Sequence, residues 1–200
     1  MSKKIFLLGF DALSWRHMKN MMNQGKLPNF SKLTINSTYG PLESVYPPGS
    51  YIAWPSYMTG VNPGKHSLFY PIVFKEKFEY AGRPFDTSMI NYPTIYEILS
   101  EAGFSVGVVN HPATFPPIKV DDFFISKPPS QSSNFTYPES FKDEILAKYP
   151  NYGSPLERNL DPQITINDAL DKLSLNFEVS KFCFTKYDSD IKASIFLETD

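Results

Sequence analysis

Two acids and one serine stand out by where they fall in the chain. Asp11 closes the apolar run "KKIFLLGF" (3–10), Asp200 closes "IFLETD" (195–200), and Ser50 lies within "YPPGSYIAWPSYMTGVNPGKHS" (46–67), which holds four prolines and three glycines. Proline fixes φ and glycine permits backbone conformations closed to other residues, so this mixture marks a turn whose shape matters, with Ser50 the side chain it presents. A serine hydroxyl is a weak nucleophile near neutral pH unless a base or a metal activates it. None of the histidines, His17, His66 and His111, stands in an arrangement typical of a serine triad, and "PPGSYIA" lacks the second glycine of the G-x-S-x-G elbow. Metal activation remains. Carboxylates at strand ends are suitable hard ligands, and a divalent ion lowers the pKa of a bound hydroxyl while neutralising phosphoryl oxygens.

The elements that would position these groups are of the α/β kind. The run 3–10 reads as a strand buried on both faces of a parallel sheet. "SWRHMKNMMNQGKLP" has helical spacing and stops at Gly25 and Pro28, "NFSKLTINS" continues as a second short helix, and "IAWPSYMTG" reads as a helix closed by Gly60 with Pro55 in its first turn. Residues 94–110, "TIYEILSEAGFSVGVVN", form the clearest unit: an amphipathic helix, a glycine stop at Gly103, then a β-branched strand. Further helical patterns cover about 138–148 and 162–175, and "KASIFLETD" reads as a second buried strand running into an acid. In open α/β sheets ligands sit at the carboxyl ends of strands, which would bring Asp11 and Asp200 to one crevice.

Composition narrows the partners. With 19 basic and 21 acidic residues and no long run of like charge, neither nucleic acid nor an anionic membrane is indicated. The 16% aromatic content is expected to serve the core, since no nucleic-acid-binding signature accompanies it. One cysteine, Cys183, excludes an internal disulfide, and the apolar run at the N-terminus is too short for a signal peptide or membrane span, so the expected location is the cytoplasm.

Several stretches in order carry a family resemblance: "GFDALSW", "GKLPNFSKL", "GPLESVYPPGSYIAWPSYMTGVNPGKHSLF" and "TIYEILSEAGFSVGVVNHPATFPP", with "IFLETD" at the end. Together they resemble the type I phosphodiesterase/nucleotide pyrophosphatase family of the alkaline phosphatase superfamily. The resemblance implies a doubly wound α/β sheet with helices on both faces. It also implies two divalent metal ions, usually Zn2+ with Mn2+ or Mg2+ as substitutes, and a Thr or Ser nucleophile that forms a phospho-enzyme. Carried over by position, Ser50 is the nucleophile and a metal ligand, Asp11 the first metal-binding aspartate, and Asp200 the aspartate that opens the second metal site. The implied substrates are small phosphate esters or nucleotides.

The same resemblance marks departures. The family's second site continues beyond its aspartate with a histidine, a distal Asp-His pair and a final histidine, and the chain stops at Asp200. An asparagine that binds phosphate in extracellular relatives corresponds to about Pro71. The expectation is therefore a single partial catalytic domain over 1–200, its N-terminal half, with cap or loop excursions at 71–92 and 126–138. Such a half would hold zinc poorly and would expose a strand edge. Two other readings stay open: a phosphotransferase or phosphomutase of the same superfamily, and a non-catalytic remnant that acts as a binding module. Taken singly, Asp11 could be a helix cap and Ser50 a turn serine, and "NPGKH" (62–66) reads as structural, with Lys65 or His66 supporting the site.

Overall fold

The computed structural model describes residues 4–69, 72–74, 80–84, 87–127, 131, 133–155 and 161–199. Along the chain these form β1 (Ile5–Phe10), α1 (Trp15–Asn23), α2 (Pro28–Ile35), α3 (Ser50–Thr59), α4 (Pro63–His66), β2 (Ile72–Phe74) and β3 (Tyr80–Pro84). There follow α5 (Ile95–Glu101), β4 (Val106–His111), β5 (Phe123–Ser126), β6 (Thr136–Tyr137), α6 (Phe141–Lys148), α7 (Pro162–Lys186) and β7 (Ile191–Phe196).

The main sheet has five strands in the order β1-β7-β4-β5-β6. All neighbours run parallel except β6, which pairs antiparallel with β5. The strand latest in sequence, β7, thus sits between the first strand and β4, with Phe10 opposite Phe196 and Val106 opposite Ile191. β2 and β3 make a separate antiparallel ribbon within residues 71–92, where an excursion was expected; of these, residues 71, 75–79 and 85–86 lie outside the described residues. Of residues 126–138, the other expected excursion, 128–130 and 132 lie outside them; Phe135 is fully buried and Thr136–Tyr137 form β6 of the main sheet.

Strand alternation feeds two cores. Val106 and Val108 of β4, Phe124 of β5 and Ile191 and Ala193 of β7 face Met58 of α3 and Tyr96 of α5. Val109, Phe123 and Ile125 face the other way, onto Phe141 and Ile145 of α6 and Val179 and Cys183 of α7. Helices therefore cover both faces, as the alternation of apolar residues on β4 and β5 requires. Burying each such side chain contributes roughly 1.5–3 kcal/mol.

Local signals explain where elements begin and end. Thr94 caps α5 reciprocally: its hydroxyl accepts from Glu97 N–H at 3.3 Å, and the Glu97 carboxylate accepts from Thr94 N–H at 2.7 Å. Gly103 then turns the chain at φ 86° into β4. Pro162 opens α7 behind Asp161, whose side chain accepts from Gln163 N–H at 2.9 Å.

Three sequence expectations need correction. Among the described residues β1 is the edge strand of the sheet, and Ile5, Phe6 and Leu8 keep 51, 51 and 52% of their surface instead of being buried on both faces. α3 begins at Ser50, two residues before the expected start, so Pro55 lies in the helix interior and gives it no N–H. α7 runs on to Lys186, because Val179 and Cys183 continue the stripe that packs on the sheet.

Candidate functional site at the end of the first strand

Asp11 follows β1 directly, at the carboxyl edge of the parallel strands. Its N–H donates to Phe196 O at 2.9 Å, and Thr199 Oγ1 donates to its carbonyl at 2.6 Å, so the turn after β7 grips the acid by its backbone. Ala12, the next residue, has φ 53°, a left-handed conformation that costs a non-glycine residue roughly 1–2 kcal/mol. Strain of this kind is found where surrounding structure fixes a turn for a purpose.

The carboxylate itself is held by α3. Gly49, before the first residue of that helix, adopts φ 152°, ψ 145°, a conformation open essentially to glycine alone. It starts the helix at Ser50 by accepting the N–H groups of Ile52 and Ala53 at 3.0 and 2.8 Å. Ser50 Oγ then donates to both Asp11 oxygens, 3.1 Å from Oδ1 and 3.1 Å from Oδ2. One helical turn on, Trp54 Nε1 donates to Oδ1 at 3.3 Å. Its ring passes close over β1: a Cβ at Gly9 would lie 2.7 Å from Trp54 Cη2 and 2.7 Å from Ile195 Cδ1. The glycine is what lets the indole reach the acid.

Trp54 was not among the residues singled out in the sequence. The available signal was its spacing, four residues from Ser50, which puts both side chains on one face of a helix. The glycine two residues before Asp11, on the same side of the strand, was the second.

The histidines take other parts. His66 accepts Leu68 N–H at Nδ1 (3.2 Å), so its proton sits on Nε2, which donates to Ser56 Oγ at 2.8 Å; Ser56 passes the bond to Ile52 O at 3.0 Å. His66 is fully buried and burial lowers its pKa, so this chain pins α4 to α3 with a neutral ring. His111 donates from Nδ1 to Pro112 O at 2.7 Å and packs edge-on against Trp54 at 5.5 Å. Burial pushes its pKa down to about 4, and its Nε2 has no partner among the described residues. His17 pairs with the Ser14 hydroxyl at 3.1 Å on the exposed face of α1.

Asp11 and Ser50 are therefore brought together, and no histidine joins them. Asp200 and the Pro71 position lie outside the described residues. Glu198, two residues before Asp200, accepts from Asn176 Nδ2 at 2.7 Å and from Leu197 N–H at 3.1 Å. Among the described residues no group of three or more His, Cys, Asp or Glu side chains could hold a metal ion.

The sequence profile of the family described as "Type I phosphodiesterase / nucleotide pyrophosphatase" matches residues 5–192. The chain belongs to this family. Among solved structures, phosphonoacetate hydrolase from Sinorhizobium meliloti 1021 in complex with phosphonoacetate is similar, with a TM-score of 0.70 at 14% identity. The same enzyme in complex with phosphonoformate gives 0.68, also at 14% identity. In both cases 99% of this chain is covered and 47% of the other, so the chain spans about half the length of those structures. Likeness at that identity concerns the fold alone, a mixed α/β sheet with helices on both faces. No curated protein sequence matches. No helix among the described residues of this phosphodiesterase-family chain is long and apolar enough to cross a membrane.

Proposed function

We propose that the chain carries the nucleophile and first acidic ligand of a metal-dependent hydrolase acting on phosphate diesters or nucleotide pyrophosphate bonds in small cytoplasmic substrates. The observation that supports this best is the 3.1 Å spacing of Ser50 Oγ from each Asp11 oxygen, set by a helix start that only glycine permits. Ser50 Oγ bonds to phosphorus as the bond to the leaving ester oxygen breaks, the hydroxyl proton passing to solvent. The phosphoryl-serine keeps the other substituent of the diester until water displaces Ser50, which regains a proton as the phosphate monoester leaves. Asp11 orients the Ser50 hydroxyl by accepting its hydrogen bond. α3 has Ser50 as its first residue, so a phosphoryl group bound at Ser50 would lie beside the positive end of the helix.

A carboxylate alone is too weak a base to ionise a serine hydroxyl, and the family implies divalent ions for that task. The Ser50 hydroxyl and the Asp11 carboxylate are hard oxygen donors brought within 3.1 Å of each other, a donor set that suits a divalent ion. Asp11 and Ser50 would hold one ion and Asp200 would belong to the second site; zinc is the first choice and manganese or magnesium the substitutes. When bound, such ions lower the pKa of the Ser50 hydroxyl and neutralise phosphoryl oxygens.

The test is release of p-nitrophenol from bis(p-nitrophenyl) phosphate by the chain with added zinc or manganese. Ser50→Ala and Asp11→Ala should each lower turnover by at least roughly 10³-fold while the circular dichroism spectrum stays the same. Mass spectrometry of the quenched reaction should find one p-nitrophenyl phosphoryl group on Ser50. Turnover that needs no metal, or that survives Ser50→Ala, would reject the mechanism. Binding of substrate without turnover would favour the non-catalytic reading instead.

A further inference from the structure

The contact that phosphoryl transfer leaves without a role is that of the Trp54 indole. An aspartate side chain rotates through a broad, roughly two-fold torsion at its carboxylate, so an acid at the end of an edge strand does not by itself present one chosen oxygen. Here the two oxygens are not equivalent. Oδ1 accepts from Ser50 at 3.1 Å and from Trp54 Nε1 at 3.3 Å, while Oδ2 accepts, among the described residues, from Ser50 alone at 3.1 Å. An indole N–H is a donor only, so the polarity of its bond to Oδ1 has one reading.

The ring is itself held on three sides. It stands edge-on to His111 with centroids 5.5 Å apart and edge-on to Tyr57 at 5.7 Å, and its outer edge fills the space that a side chain at position 9 would take. His111 in turn is fully buried and donates from Nδ1 to the backbone at Pro112, so the wall behind the indole is a fixed one. A donor locked this tightly sets the orientation of whatever it bonds.

We propose that Trp54 is a positioning residue: its N–H ties up Oδ1 and fixes the carboxylate rotation so that Oδ2 is the oxygen Asp11 presents to a cation, with Gly9 as the slot that admits the ring. This rests on the reading of Asp11 as a metal ligand. Partners that orient ligating groups affect affinity by about 10–100-fold when removed.

The test begins without metal. In the 1H–15N spectrum of the EDTA-treated chain the indole signals come from Trp15 and Trp54, and Trp15→Phe assigns them. The Trp54 indole proton should resonate downfield and move upfield in Asp11→Ala. Gly9→Ala should move it as well, since the new methyl pushes the ring. Next, Mn2+ affinity is followed by electron paramagnetic resonance. Trp54→Phe keeps an aromatic ring and loses the donor, and should bind Mn2+ about 10–100-fold more weakly, with a melting temperature within about 3 °C of the parent. An indole signal unmoved by Asp11→Ala, or parental Mn2+ affinity in Trp54→Phe, would overturn the proposal. If the parent binds no Mn2+ yet the signal moves, the ligand role of Asp11 falls while the hold of the indole on its carboxylate stands.

Discussion

Strands β1 and β4 lie two places apart in the parallel part of one sheet and each leads to a side chain with polar groups, yet the two are held by opposite means. β4 is buried along its whole length and ends at His111, whose Nε2 has no hydrogen-bond partner among the described residues. β1 is an edge strand with half-exposed Ile5, Phe6 and Leu8, and the acid after it has its N–H, its carbonyl and both carboxylate oxygens bonded. Inside the sheet, packing fixes the ring and a hydrogen bond is given up for it. At the edge, packing is too thin to fix anything, and α3 and the turn after β7 supply hydrogen bonds in its place. That arrangement leaves Asp11 within reach of solvent, which a ligand for a cation needs and which His111 does not have.

The largest expected effect separates interior from edge by stability. Phe124 beside β4 is fully buried against Tyr96, and Phe6 on β1 is half exposed, with its main aromatic contact at 5.2 Å to Phe184. Phe124→Ala should cost about 3–5 kcal/mol in urea unfolding, and Phe6→Ala about 1 kcal/mol. Similar losses at the two positions would break the comparison, because β1 would then be packed as well as β4.

The next effect comes from His111. Its folded pKa is about 4 against roughly 6.5 when unfolded, so between those values the unfolded chain binds the extra proton. The neutral ring therefore adds stability that is complete above about pH 6.5 and is lost as the pH falls toward 4. The loss amounts to roughly 3 kcal/mol on the scale of about 1.4 kcal/mol per pKa unit. Unfolding midpoints measured at pH 7 and pH 4.5 should diverge by less in His111→Gln than in the parent. An unchanged divergence would mean that other groups carry the acid sensitivity and that burial of this ring is not what holds the end of β4.

How much of this was legible in the sequence follows from the kind of signal each feature leaves. The α5–β4 unit could be read because helix period, capping box and glycine stop all fall within 94–110, and each is a local feature. That Asp11 and Ser50 meet rested on the family resemblance, and the two lie within hydrogen-bond distance; the positional rule about strand ends joined Asp11 to Asp200, which lies outside the described residues. The exposure of β1 could not be read, since an apolar hexapeptide looks the same at an edge and in the middle of a sheet. Strand order decides that, and the placing of β7 beside β1 depends on pairing across 186 residues, from Ile5 to Ile191. The start of α3 falls two residues before "IAWPSYMTG" because the helix begins where Gly49 supplies a conformation that other residues avoid, a feature that apolar spacing does not reveal. Trp54 left only an i, i+4 spacing, too common to single it out.

The smallest effect sharpens the comparison most. Thr199 Oγ1 bonds Asp11 O at 2.6 Å and lies 3.3 Å from Phe196 O, so it joins the ends of β1 and β7 just where the acid leaves the sheet. Thr199→Val keeps the shape and removes the donor, at a cost of about 1 kcal/mol in global stability. If the edge is held by hydrogen bonds, that loss should be local: the Asp11 N–H, bonded to Phe196 O, should exchange with solvent faster, while the Val108 N–H inside β4 changes only as far as global stability does. Thr199→Ser, which retains the donor, should restore the slow exchange at Asp11. Should both amides lose protection equally in Thr199→Val, the two strands would be opening as one unit. Asp11 would then be fixed by the same cooperative packing as His111, and the difference between edge and interior would not be what makes the acid available.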